Sequence, residues 1–205
     1  VMPLSILLLN KIFSAMDTRL SGTLMTMAFN LLMILLISLS SNGMIAKIYS
    51  EEGRSAYLNK TAPSSYGKVL FPKILINLIL INISILISVG IFAQSAHLSL
   101  LTTIMLMLSI CAIYTGHLFW SASMDIMNPQ NEQYATTGEH TNNPNEIKAS
   151  LTAFFVSAIF TFLFYFLINE NLETVWIKLL IVAVVFVIWN AFMYFSKVKL
   201  YYKEK

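Results

Sequence analysis

Glu51, Glu52 and Arg54, grouped around Gly53, are the side chains whose chemistry has to be decided first. Adjacent carboxylates beside a guanidinium can serve acid–base work when they converge on a reacting group in a closed site. In a solvated stretch they instead pair with the charges of a neighbour, and the polar run around them, Ser41 to Lys73, points to that second use. Metal chemistry finds little support. His97, His117 and His140 are scattered, Cys111 is the single cysteine, and none is set at i, i+4 from another ligand. Packing or surface roles suit them better. No phosphate-binding GxxxxGK[ST] loop, HExxH or GxSxG occurs, so the chain carries no evident ATP site, zinc site or serine nucleophile. Lys73, Asn77, Ser84 and Ser88 fall at steps of four, seven and four, which places them on one face of a helix. Inside hydrocarbon such a face lines a bundle interior or a wet pathway. The alternative is that the hydroxyls and amide bond to neighbouring helices or to their own backbone. Asn190 and Trp189 read as packing residues.

The elements that hold these residues follow from composition. The chain is 57% hydrophobic and 11% charged, with a mean hydropathy of +0.72. Soluble domains carry about 25% charged residues, so the bilayer is the expected solvent. A membrane helix needs about 20 mostly apolar residues. Five such runs are visible, at about 23–40, 69–93, 98–122, 151–168 and 174–195. The expected fold is all-α, a polytopic transmembrane helical bundle forming one domain over 1–205. Val1 and the apolar Ser5 to Leu9 suggest the tail of an earlier span. QSAH and NENLE make two tight hairpins, whereas 41–68 and 123–150 are long and polar, and 196–205 is a tail. Alternation puts these three segments on one side. They hold Lys47, Arg54, Lys60, Lys68, Lys148, Lys197, Lys199, Lys203 and Lys205, against Lys11 and Arg19 outside and Lys178 just within the last span. The positive-inside rule makes that side cytoplasmic.

Within 41–68, Ile45, Ile48 and Tyr49 follow helical spacing. They predict a short amphipathic helix on or under the membrane, where a soluble partner can press on it. Pro72, one turn into the next span, is expected to kink it. Loop 123–150 is rich in Asn, Pro, Gly and Thr and reads as mostly irregular. Its end is a helix start, with Asn143 as cap, Pro144 at the first position and Glu146 at the third. Trp120, Trp176, Tyr194, Tyr201 and Tyr202 lie near span ends and read as interfacial anchors.

The stretch from Lys47 to Lys73 resembles the permease subunits of ABC-2-type exporters. Those proteins have an acid-Gly-Arg core in a basic loop, a "Lys, small residue, Pro-Ser" step, and a lysine entering the next span. The matching residues are Glu51-Glu52-Gly53-Arg54, Lys60-Thr61-Ala62-Pro63-Ser64 and Lys73. Asp125 just after a span, then Asn128-Pro129 and an Asn/Glu-rich stretch, resembles their second loop. The resemblance covers about Ser40 to Ser150, and the run of Asn and Thr from Thr136 to Asn145 departs from it. It implies a non-enzymatic subunit in a bacterial plasma membrane, the C-terminal half of a permease. A separate ABC-type ATPase would carry ATP and Mg, and a second permease copy or half would be a further partner. No cofactor on this chain and no nucleic-acid partner is expected. The coupling contacts would be Glu52, Gly53 and Arg54, with Lys60 and Pro63 in support, and Asp125 and Pro129 as a second contact. Asn77, Ser84 and Ser88 would line the substrate pathway, for a hydrophobic or amphipathic substrate moved outward. Glu51-Glu52 is also faintly similar to the paired glutamates of membrane-embedded CAAX-type proteases. In those the pair belongs in a membrane helix, with histidines on facing helices. A structural or signalling membrane protein is the third alternative.

Overall fold

The computed structural model describes residues 20–56, 58, 66–138, 142–167 and 172–203, and these are helical with no strands. Helix α1 is Leu20–Ser40, α2 Tyr66–Ser95, α3 Leu100–Met127, α4 Asn131–Thr137, α5 Pro144–Leu167 and α6 Leu172–Lys203. Lys60, Pro63, His140, Lys11 and Arg19 lie outside the described residues, as do the NENLE turn up to Asn171 and the N-terminal tail. Five helices (all but α4) are long and apolar enough to cross a membrane, so the chain is a multi-pass membrane protein. The helices overrun the apolar runs. At 1.5 Å per residue, the 30 residues of α2 reach about 45 Å and the 32 of α6 about 48 Å. A hydrocarbon core is about 30 Å thick, so both helices continue well outside it. The expected tail 196–205 is helical as far as Lys203, and the loop expected at 123–150 contains α4 and the ends of α3 and α5.

Local chemistry sets the ends. Three serines finish α1: Ser38 Oγ donates to Ile34 O at 2.7 Å, Ser40 Oγ to Ile37 O at 3.0 Å and Ser41 Oγ to Ser38 O at 2.6 Å. Ile37 O and Ser38 O are among the last carbonyls, which a helix end otherwise leaves open. α2 stops where His97 takes a φ of +51° and the Leu98 N–H reaches back to Ala93 O at 3.0 Å. That is a left-handed helix stop built without glycine. Ser99 then caps α3 by accepting from the Thr102 N–H at 3.2 Å. α5 begins at Pro144, and Asn143 Oδ1 accepts from the Asn145 N–H at 2.9 Å, as the sequence predicts. Pro72 lies inside α2 without ending it.

α3 is the central helix and touches each of the other four spanning helices. Its closest companion is α6, because Gly116 has no side chain to keep Phe186 away. A Cβ there would lie 2.8 Å from Phe186 Cε1 and 3.3 Å from Val187 Cα. Small residues at a crossing are how membrane helices gain van der Waals contact. The outward faces of α2, α5 and α6 expose Ile76, Leu80, Phe155, Phe162, Val185 and Ile188, a surface suited to acyl chains. Two aromatic residues read as interfacial anchors are inside instead. Trp176 is stacked on Phe164 at 4.8 Å, and Tyr194 packs on Phe119.

Candidate functional site

The segment between α1 and α2 does not form the amphipathic α-helix its spacing suggests. Residues 41–56 run as short 3-10 turns, Ser41–Gly43, Ile45–Lys47 and Ser50–Ala56, the last broken at Gly53 with a φ of +51°. An α-helix would send the Tyr49 and Ser50 N–H groups to Ile45 O and Ala46 O. Asp125 of α3 takes them instead: its Oδ2 accepts from Tyr49 N at 2.7 Å and Ser50 N at 3.0 Å. Its Oδ1 accepts from the Ser50 hydroxyl. The carboxylate thus caps the final turn from a different helix, and it is fully buried. Ser50 Oγ accepts in turn from the Gln130 N–H at 2.9 Å, while Asn131 Nδ2 donates to Tyr49 O at 3.0 Å. Asn145 Nδ2 closes the ring by donating to Asn128 O at 2.8 Å.

Every other described helix reaches this segment. The Tyr49 hydroxyl donates to Leu70 O of α2 at 3.4 Å and lies 2.9 Å from the Tyr194 hydroxyl of α6. Glu52 pairs with Lys73 of α2. Lys47 pairs with Glu51 at 3.3 Å and with Glu146 of α5 at 3.5 Å. Asn42 Nδ2 donates to His117 Nδ1 at 3.0 Å, and His117 Nε2 lies 3.1 Å from Thr152 Oγ1. Because Thr152 spends its own proton on Ala149 O, that chain is satisfied by a neutral imidazole protonated on Nε2. Gly53 lies against α4, where a Cβ would sit 3.3 Å from the Ala135 nitrogen.

The residues named from the sequence are placed as follows. Glu52, Gly53 and Asp125 belong to this cluster, Glu52 half-buried and the other two buried. Asp125, expected as a second contact with the ATPase, is fully buried here, and its oxygens accept from Tyr49 and Ser50. Arg54 and Pro129 are exposed at the same end. Asn77 and Ser84 are half-buried and Ser88 is buried. The Asn77 carbonyl accepts from the Tyr114 hydroxyl at 3.2 Å, and the Ser88 hydroxyl donates to Ser84 O at 2.7 Å. The alternative of backbone bonding therefore describes Ser88. A cavity lies elsewhere, between α3, α5 and α6, and none of these three lines it.

Sequence reasoning missed Ser50, Asn131, Asn145 and the Asn42–His117–Thr152 chain. The one available signal was the abundance of asparagine after Asp125, since a side-chain amide can serve a backbone carbonyl or N–H with no periodicity at all. Among the described residues no group of His, Cys, Asp and Glu is arranged to hold a metal. No protein-family model, curated protein or solved structure matches the chain.

Proposed function

We propose that the chain is the membrane-spanning permease subunit of an ABC-2-type exporter. It would couple ATP hydrolysis on a separate ATPase subunit to outward movement of a hydrophobic or amphipathic substrate. One observation carries the reading beyond the resemblance of Glu51–Arg54, Lys73 and Asn128-Pro129. The 41–56 segment exposes Met44, Glu51, Arg54 and Ser55 at one end of the bundle, while its inner face is tied to α2, α3, α4, α5 and α6. A displacement of the outer face is transmitted to every spanning helix. In this reading Asp125 transmits that displacement, and Arg54 and Pro129 make the contact. The lysines and arginine at this end, against Lys178 at the other, favour a cytoplasmic location for it.

The test is co-purification of the full-length protein in mild detergent with a co-expressed candidate ATPase, followed by ATP hydrolysis in reconstituted vesicles. The expected result is a stoichiometric complex whose hydrolysis falls at least tenfold on Arg54→Glu, since an interfacial charge is reversed. A permease that elutes alone while the ATPase stays soluble overturns the reading, and a membrane enzyme or a non-transporting protein then takes its place.

A further inference from the structure

A cavity of about 530 Å³ opens between the end of α3, the start of α5 and the second half of α6. α3 and α6 run side by side, so the lining can be followed in one direction along both. Trp120, Phe186 and Trp189 form the membrane-side part, and Met124 and Met193 come next. Asn128, Lys148 and Lys197 close the end beside the 41–56 segment. From Trp120 to Asn128, and from Trp189 to Lys197, the helices advance about 12 Å. Polarity therefore changes from aromatic to cationic over about 12 Å, along the direction in which a bilayer changes from acyl chain to headgroup. Among the described residues no acid lines the cavity. Neither Lys148 nor Lys197 has an ion pair among the described residues, and Trp189, 63% exposed, opens the aromatic part sideways.

We infer that this groove binds an anionic phospholipid from the surrounding bilayer. Its phosphate lies between Lys148 and Lys197, and one acyl chain runs along Trp120, Phe186 and Trp189. The charge of the mouth selects an anion, and the graded lining selects an amphiphile over a small solute. The open side gives a lipid a lateral way in. Basic pockets between spanning helices suit lipid phosphates in general. The inference rests on the membrane-spanning fold and is independent of the exporter reading.

The test uses the full-length protein in vesicles, with tryptophan fluorescence as the readout. The vesicles contain a small fixed fraction of brominated lipid, either phosphatidylglycerol or phosphatidylcholine. Brominated phosphatidylglycerol is expected to quench more strongly, with an association preference of about thirtyfold for two lysine contacts. Lys148→Gln with Lys197→Gln should remove the preference, each alone should cut it about fivefold, and Lys178→Gln should leave it intact. Soluble glycerol phosphate should not compete. Equal quenching by the two lipids in the unsubstituted protein overturns the inference, with no need for a variant to fold. So does an unchanged preference in the folded double variant. Competition by glycerol phosphate would assign the site to a free phosphoester and overturn the lipid.

Discussion

Asp125 stands in the last turn of α3, where the helix dipole disfavours an anion. Its neighbours explain why it is there: two N–H groups and a hydroxyl from the 41–56 segment converge on it. Asp125→Ala would strand those donors in a buried place, at a cost of about 3 kcal/mol. The thermal midpoint in detergent should drop by several degrees. Ser50→Ala should cost about 1 kcal/mol, and less than that when added to Asp125→Ala, because the two act as one unit. A full additive loss in the double variant would show that the groups do not interact. Gly53 makes a separate demand. Its φ of +51° is one that L side chains rarely adopt, and a Cβ there would lie a tight 3.3 Å from the Ala135 nitrogen. Gly53→Ala should destabilise by about 1–2 kcal/mol, read as the same thermal shift. A midpoint equal to that of the unsubstituted protein would contradict the left-handed turn. None of this was legible from residue types. Asp125 and Tyr49 are 76 positions apart, and an acid after an apolar run looks the same whether it faces water or another strand of the chain.

At the scale of elements, the α3–α6 contact is the one most exposed to a single substitution. Gly116→Val forces a branched side chain onto Phe186 and the Val187 backbone, an overpacking cost of about 1–3 kcal/mol. The expected result is a lower thermal midpoint and a larger aggregated fraction on size exclusion. Unchanged behaviour would mean that the two helices do not meet there. The spanning helices themselves were legible, because an apolar run of about 20 residues has few other uses. Their ends were not, since α2 and α6 persist beyond the hydrocarbon where hydropathy carries no signal. The 41–56 segment shows a subtler limit. Ile45, Ile48 and Tyr49 correctly marked an apolar face, and the structure buries Ile45 and Tyr49 fully and Ile48 in part. Periodicity identifies a face and not its cover, which here is the chain's own bundle. Nor could it choose between an α-helix and 3-10 turns when a distant carboxylate takes two of the backbone donors.

For the whole molecule, both long connections and the end of α6 gather at one end, and the turn at His97 lies at the other. The exporter reading proposed above puts the first end in the cytoplasm, and that orientation can be tested. In a Cys111→Ala background, an impermeant maleimide should label Gln94→Cys in intact cells. It should label Met44→Cys only after permeabilisation. The reverse pattern would invert the orientation, and labelling of both from one side would break the alternation. The junction around Tyr49 also has a history during synthesis. Its partner Tyr194 follows 145 residues later, and at about 5–20 residues per second the ribosome needs roughly 7–30 s to supply it. Throughout that interval residues 50–193 are made and inserted before the Tyr194 hydroxyl can reach Tyr49. A nascent chain stopped before α6 therefore carries a joint to which α6 has not yet contributed Tyr194.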